Sequence, residues 1–219
     1  MHKERLIEPE VLEEASEEMA AGSLGDLRSI NRWLGGHVVT RWAFGQVRLP
    51  EGRFTVLDVG AASGDNGREI RATWPKATVI SLDLLRRNLE GAQAPRLVAD
   101  AFGLPVAGRS VDFVFCSLFL HHFADEAVVR LLEGFQRVAR YGVVINDLER
   151  HPFAHKSTAV FGWLFGWNPV TLHDAPVSVQ AGFTAMELRG LAERAGLSGV
   201  RVRRHLPWFR LSMIWERAR

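Results

Sequence analysis

Acidic residues and histidines stand at the ends of several short apolar runs in this sequence. The acids are Asp58, Asp83 and Asp100, and two adjacent histidines, His121 and His122, follow a further run. A carboxylate can accept hydrogen bonds from hydroxyl or amino groups, and a histidine can exchange a proton near neutral pH. These residue types therefore predict a site that holds a polar ligand beside a proton-transfer group.

The elements that must position these residues alternate along the chain. The predicted strands are Phe54–Val59, Thr78–Leu82, Arg96–Ala99, Val111–Ser117 and Val143–Ile145. Helical patterns lie between them, at Gly67–Trp74, Leu84–Glu90 and Ala124–Ala139. This alternation predicts βαβ units in a doubly wound α/β fold, and strands that are apolar throughout indicate a mostly parallel sheet covered on both faces. Open α/β folds bind ligands at the carboxyl ends of their strands.

Two segments flank this alternating core. Residues 9–20 and 24–46 have helical patterns with a break at Gly35-Gly36, so residues 1–50 are predicted to form a helical cover. Residues 150–182 are rich in Phe and Trp with interspersed Gly, Pro and His. Flat aromatic side chains suit an apolar or phenolic ligand, and we expect this segment to form a lid over the site.

The last part of the chain returns to regular patterns. Thr184 and Glu187 have the spacing of a capping box, which opens a predicted helix that ends near Ala195. Two strand-like runs follow, Gly199–His205 and Trp208–Trp215. The short link between them predicts an antiparallel hairpin, since a parallel crossover needs a longer connection.

Composition limits the class of protein. The chain has 219 residues, of which 47% are hydrophobic and 24% charged, so a single domain spanning residues 1–219 with a sizeable core is expected. A net charge of +2 is too mild to suggest a nucleic-acid partner. One cysteine, Cys116, excludes an intramolecular disulfide, and no run approaches the ~20 apolar residues of a membrane span. We expect a cytoplasmic protein, monomeric or homodimeric, without integral membrane association.

The glycine-containing turn after the first strand decides between two nucleotide ligands. Residues 58–64 read Asp-Val-Gly-Ala-Ala-Ser-Gly. Dinucleotide sites use G-x-G-x-x-G, and the third and sixth positions counted from Gly60 are Ala62 and Asp65, a poor match. The pattern acid-x-G-x-G-x-G of S-adenosylmethionine (SAM) binders fits better, with Ala62 in place of the middle glycine.

Two further acids agree with a SAM site. A carboxylate at Asp83 can accept two ribose hydroxyls, which an NAD site would also require. Asp100 can accept the adenine amino group, and Ala101-Phe102 can pack against the ring. A short-chain reductase would need Tyr-x-x-x-Lys, but Ile145 stands four residues after the only tyrosine, Tyr141.

Residues 54–147 resemble the core of class I SAM-dependent methyltransferases, in the small-molecule branch related to the ubiquinone and menaquinone enzymes. Residues 146–188 are similar to bacterial methyltransferases that act on phenolic polyketides. The resemblance implies a seven-stranded sheet with a reversed last strand, and SAM as cofactor with S-adenosylhomocysteine (SAH) as product. The predicted cofactor-binding residues are Asp58, Gly60, Ala61, Ala62, Gly64, Asp83, Leu84, Asp100, Ala101, Phe102, Cys116 and Ser117.

Methyl transfer to an alcohol or phenol benefits from a general base. We predict that His122 or His173 is this base, with His121 nearby and Asp147, at the end of the fifth strand, as an orienting group. His173 has its own neighbouring acid, Asp174. No metal is expected, because the fourth strand ends in Cys116-Ser117 without an acid.

The function that these features predict is O-methylation of a small aromatic, polyketide-like molecule. C-methylation of a quinone precursor is the nearest enzymatic alternative. A non-catalytic SAM-binding protein is the alternative from another class. Asn31 and Arg32 are candidates to meet the methionyl carboxylate.

Overall fold

A computed structural model describes residues 5–8, 11–14 and 17–218. Its centre is a seven-stranded sheet in the order β3-β2-β1-β4-β5-β7-β6. The strands are β1 Phe54–Val59, β2 Ala77–Asp83, β3 Arg96–Val98, β4 Val111–Ser117, β5 Ala139–Leu148, β6 Arg201–His205 and β7 Arg210–Glu216. β7 pairs antiparallel with both β5 and β6, while the pairs among β1 to β5 are parallel. The doubly wound, mostly parallel sheet and its C-terminal hairpin are therefore confirmed.

Helices cover both faces of the sheet. They are α1 Val11–Glu14, α2 Glu17–Trp33, α3 Gly36–Phe44, α4 Asp65–Thr73, α5 Asp125–Val138, α6 Pro152–Phe165, α7 Pro169–Ala181 and α8 Ala185–Arg194. Side chains alternate across a strand, and β4 shows the result: Phe113 and Phe115 pack with α3 and α4, while Val114 packs with α5 and α8. All seven residues of β4 are buried.

The strand order reverses between β1 and β4. The chain places β2 and β3 on one side of β1, and then crosses over to place β4 on the other side. The carboxyl ends of these strands open a crevice at such a point. The acids and histidines that the sequence places after β1, β2 and β4 therefore face one edge of the sheet.

Several predicted boundaries differ from the observed ones. The helix predicted at Leu84–Glu90 is a short 3-10 turn, Arg86–Gly91. β5 is longer than its apolar run, since it extends to Leu148 along β7. The expected break at Gly35-Gly36 is present, and Gly35 has φ 82, a left-handed conformation that favours glycine. Of the helix predicted over residues 9–20, residues 9–10 and 15–16 lie outside the described residues.

The aromatic segment 150–182 forms a helical pair. α6 starts after His151, whose side chain accepts a hydrogen bond from Phe153 N, and α7 starts after Asn168, which accepts from Thr171 N. α1 docks against α7, because Val11 N and Leu12 N donate to the carboxylate of Asp174. None of the described helices is long and apolar enough to span a bilayer.

Candidate active site

A cavity of about 850 Å³ opens at the carboxyl ends of β1, β2 and β4. Its walls come from the glycine-containing turn, the residues after β2, β3 and β4, helix α2, and the lid helices α6 and α7. The predicted site residues on its wall are Gly60, Ala61, Ala62, Asp83, Leu84, Asp100, Ala101, Phe102, Ser117, His121 and His122. The fold therefore brings residues from four separate segments, at the ends of β1, β2, β3 and β4, to one site.

The turn after β1 has the left-handed backbone that its sequence suggests. Gly60 and Gly64 have φ 67 and 69, and Ala62, at the position of the missing glycine, has φ 45. A Cβ on Gly60 would lie 2.4 Å from the Phe119 ring. Ala62 N donates to Asp83 Oδ2 at 3.0 Å. The turn is thus tied to the acid that ends β2, and alanine adopts the strained conformation there.

Asp83 retains hydrogen-bonding capacity for one of the two ribose hydroxyls that the sequence predicted it to accept. Its Oδ1 accepts from Leu85 N and from Asn88 Nδ2, each at 3.0 Å, and its Oδ2 accepts from Ala62 N. A carboxylate offers about four acceptor positions, so Oδ2 retains one for a ligand hydroxyl. Asn88 also lines the cavity and supplies a further polar group beside it.

Other polar and aromatic groups fit the remainder of an adenosine. Asp100 Oδ1 accepts from Phe102 N at 2.9 Å, which fixes the turn after β3. Phe102 is 42% exposed and packs edge-on against Phe123. Ser117 Oγ is buried on the cavity wall and has no hydrogen-bond partner among the described residues. Such an orphaned polar atom is satisfied when a ligand supplies the partner, so the residues present fit SAM.

A histidine pair forms the wall opposite the glycine-containing turn. His121 Nδ1 lies 2.6 Å from Asp147 Oδ1, and Asp147 Oδ2 accepts from Leu120 N at 2.9 Å. The rings of His121 and His122 stack with centroids 4.3 Å apart. Burial alone would raise the pKa of Asp147, but the adjacent His121 and the N–H of Leu148 lower it below its ordinary value. Asp147 is therefore a buried carboxylate that fixes the orientation of His121.

Some predicted site residues do not reach the cavity. Asp147 lies behind His121 and contacts its ring. Gly64 and Cys116 lie beneath the cavity wall. Cys116 points into the core, where burial raises the pKa of its thiol. His173 is 58% exposed by its side chain and is absent from the cavity wall. Its partner Asp174 lines the cavity, but the Asp174 carboxylate accepts hydrogen bonds from Val11 N and Leu12 N of α1. The predicted base His173 therefore lies outside the cavity.

Asp58 is likewise turned away from the cavity. Its Oδ2 is buried without a described hydrogen-bond partner, and it faces the side of the turn where Gly67 and Ser81 lie. Burial raises the pKa of Asp58 well above its usual value, and the nearby Asp65 acts in the same direction. Asp58 therefore lies beneath the turn and not on the cavity wall, where a direct contact with the cofactor was predicted.

The raised pKa of Asp58 makes stability depend on pH. The folded state holds the proton that the unfolded chain releases above about pH 4, so this contribution to stability is complete below that pH and is lost as pH rises toward the folded pKa. Asp58→Asn cannot ionise. We expect the variant to gain stability over the wild type as pH rises, by up to about 1.4 kcal/mol per pH unit. Urea unfolding of the cofactor-free proteins near pH 5 and pH 8 checks this, and an equal difference at the two values would contradict it.

Asp65 and Arg210 line the cavity but were not among the predicted site residues. Asn31 also lines the cavity and was predicted to meet the methionyl carboxylate. Asp65 Oδ2 accepts from Asn31 Nδ2 at 3.0 Å, and Asn31 Oδ1 accepts from Arg210 Nη2 at 3.2 Å. Burial lowers the pKa of Arg210 to about 10, so its charge remains at neutral pH. Arg32 instead lies over the Trp33 ring. Asp65 was detectable as the residue after Gly64, whereas Arg210 is far away in sequence and carried no signal.

The comparison with known families agrees with this geometry. Residues 56–142 match the family described as a methyltransferase domain. This match covers less than half of the 219 residues, and together with the fold and the cavity it indicates a class I SAM-dependent methyltransferase and supports SAM as the cofactor.

Individual relatives cover parts of the chain. A malonyl-(acyl-carrier protein) O-methyltransferase of Xylella fastidiosa is 36% identical over 103 residues, 43% of this chain and 33% of that protein. One of Coxiella burnetii is 31% identical over 87 residues, 40% of this chain and 30% of that protein. The match thus spans about a third of these curated relatives. The plantazolicin methyltransferase BpumL in complex with SAH has a TM-score of 0.66 at 12% identity, covering 92% of this chain and 90% of that one.

Proposed function

We propose that this chain transfers the methyl group of SAM to an oxygen atom of a small, apolar aromatic acceptor such as a phenol. The observation that carries the proposal is the Asp147–His121–His122 arrangement on the wall of a cavity that continues from the glycine-containing turn to the lid. The names of the curated relatives specify oxygen as the methyl acceptor of those proteins, which favours oxygen over the carbon alternative.

The cofactor part of the cavity has a polar group for each end of SAM. Asp83 and Asn88 would hold the ribose, Asp100 the adenine, and Ser117 a further polar contact. Asp65 would hold the methionyl ammonium, because its side chain lies on the wall and is 10% exposed. Arg210 holds Asn31, which in turn holds Asp65.

The acceptor part of the cavity is mostly aromatic. Its side chains are Phe153, Phe161, Trp167, Trp208 and Phe209. Two hydroxyls on the same wall, of Ser157 and Thr158, donate to carbonyls of their own helix. Their hydroxyl oxygens can still accept a hydrogen bond, and Trp167 Nε1 is a buried donor without a partner among the described residues. A mostly apolar wall with these few polar groups suits a flat ring that carries a hydroxyl.

The chemistry needs an aligned nucleophile and a base. SAM supplies an electrophilic methyl group on a sulfonium. His122 takes the acceptor's hydroxyl proton as the new O–CH₃ bond forms and the C–S bond breaks, with the bonding pair leaving to sulfur to give SAH. His121, held by Asp147, stacks on His122 and fixes its plane. The lid excludes water and holds the acceptor in line, which supplies much of the rate.

The test is direct methyl transfer. The protein is incubated with SAM carrying a trideuterated methyl group and a panel of phenols, each paired with its O-methyl ether, which has no free hydroxyl. Mass spectrometry is expected to show the labelled methyl on oxygen of at least one phenol and on none of the ethers. Label on ring carbon, or on no member although SAH binds, would overturn the proposal.

The assignment of Asp65 makes a separate prediction. Loss of a charge-assisted hydrogen bond is worth about 1.5–3 kcal/mol, so Asp65→Asn is expected to weaken SAH binding by roughly 10- to 100-fold. 5′-Methylthioadenosine lacks the amino acid end and should bind variant and wild type alike. Glu69→Gln is the matched control. His37 Nε2 lies 3.2 Å from Asp65 Oδ2 and His37 Nδ1 lies 3.6 Å from Glu69 Oε2, but Glu69 lies outside the cavity wall. Calorimetry checks this, and an equal loss for both ligands would contradict it.

A further inference from the structure

Helix α6 has its large apolar side chains on the outside. Phe153, Val160, Trp163 and Leu164 are 63%, 61%, 83% and 61% exposed. At about 100° per residue, their spacings of seven, three and one residues place them within one face of the helix. The neighbouring face of α6 lines the cavity with Ala154, Ser157, Thr158 and Phe161. Large apolar side chains of a helix are usually buried, so the exposed face of α6 is a surface that another apolar phase covers.

This apolar face continues beyond the helix along the rim of the cavity. The Phe153 ring lies 5.6 Å from the Phe209 ring, and Phe153 and Phe209 both line the cavity. Leu206, in the turn between β6 and β7, is 62% exposed. The face and the acceptor part of the cavity therefore share residues at the cavity rim.

The charge of the lid segment indicates which kind of partner covers the exposed face of α6. Residues 150–173 contain no Asp or Glu, and the first acid after them, Asp174, is buried and holds α1. Lys156 is exposed on the same side of α6 as Trp163. A basic residue among exposed Trp, Phe and Leu side chains is the composition of helices that lie in the headgroup region of anionic membranes.

The exposed face of α6 has few hydrogen-bonding groups, which also favours a lipid bilayer over a protein partner. Specific protein interfaces carry roughly one hydrogen bond per 100–200 Å², whereas the exposed face of α6 offers the ammonium of Lys156 and otherwise apolar side chains. A bilayer requires no directional partners. α6 has 14 residues, a length suited to lying on a surface.

We propose that α6 docks this protein on an anionic lipid bilayer, with Trp163, Leu164, Val160 and Phe153 inserted at headgroup depth. The cavity rim then faces the membrane, and an apolar acceptor dissolved in the bilayer enters beneath the lid. The proposal goes beyond the proposed methyl transfer, and its test requires no turnover.

The test is co-sedimentation with vesicles of phosphatidylcholine alone and of phosphatidylcholine mixed with phosphatidylglycerol. Wild type is expected to partition onto the mixed vesicles, with weaker binding at high salt. Trp163→Glu combined with Leu164→Glu is expected to lower the partition coefficient at least about tenfold, since the variant buries two fewer apolar side chains and adds two negative charges at an anionic surface. Trp163→Ser serves as a milder variant. Neither Trp163 nor Leu164 lines the cavity, so unchanged SAH affinity shows that the variants are folded.

Met186→Glu is the matched control, because Met186 is 84% exposed on α8, outside the lid. We expect it to bind vesicles as wild type does. Absence of wild-type binding to the mixed vesicles would overturn the proposal, as would an equal loss in the Met186 variant. Sedimentation velocity tests the other possible occupant of this face, a second copy of the chain. A wild-type dimer that the Trp163 variants dissociate would show that a second copy covers α6 and would overturn the proposal.

Discussion

Replacement of Asp83 by alanine is expected to weaken SAH binding by about 100-fold. The change removes the acceptor for the ribose, and it also releases Ala62 N and Leu85 N, which the carboxylate now holds. Hydrogen bonds to a charged group contribute about 1.5–3 kcal/mol each, and the loss of the ligand contact together with a looser turn accounts for the expected factor. Titration calorimetry with SAH measures the effect.

Asp112 provides the matched control for that result. It is a buried aspartate at the start of β4, and its carboxylate accepts from Thr55 N at 2.8 Å. It lies at the opposite end of the sheet from the cavity. Asp112→Ala is expected to lower the free energy of unfolding while SAH affinity stays at the wild-type value. Equal losses of affinity in the two variants would show that Asp83 acts through general stability.

Replacement of His122 by alanine is expected to lower kcat for phenol methylation by about 10²- to 10⁴-fold, the usual contribution of a general base. In the variant, only acceptor that has already ionised reacts. More acidic phenols should therefore rescue the variant selectively, and a series of substituted phenols measures this dependence.

His173→Ala is the control for the base, since His173 lies on the outer side of α7. It is expected to keep wild-type kcat and the wild-type pH profile. A His122 variant with unchanged kcat, or a His173 variant that loses activity, would reverse the assignment. A fall in kcat without rescue by acidic phenols would show that His122 positions the acceptor without taking its proton.

The strands were predictable where apolar runs have sharp ends. β1 has the predicted bounds, because its apolar run stops at the glycine-containing turn. β4 also has the predicted bounds, although apolar residues continue to Leu120, since Leu118 leaves the extended backbone with φ 51. Helix α6 was not predictable from its pattern, since its large apolar residues face outward and its periodicity gives no core-facing stripe. The short turn after β2 also fell outside the prediction, because helical residue types over six positions do not distinguish a 3-10 turn from an α-helix.

The site was predictable where residues follow strand ends. It was less predictable where the direction of a side chain decides whether that side chain reaches the cavity. Asp83, Asp100 and Ser117 lie on the cavity wall, as expected from their positions. Cys116 and Asp58 do not, because successive side chains point to opposite faces of a strand. Applied to β4, this alternation separates Ser117 from Cys116. Arg210 reaches the cavity only through the pairing of β7 with β5, which no local pattern in the sequence reveals.

A crystal structure of the protein with SAH bound is the most direct test of the cofactor and base assignments. We expect adenosine between Asp83 and Asp100, the amino acid end at Asp65, and the sulfur facing the His121–His122 wall with open space toward Phe153 and Phe161. SAH bound outside this cavity, or with its sulfur turned away from the two histidines, would contradict the assignment of both cofactor and base.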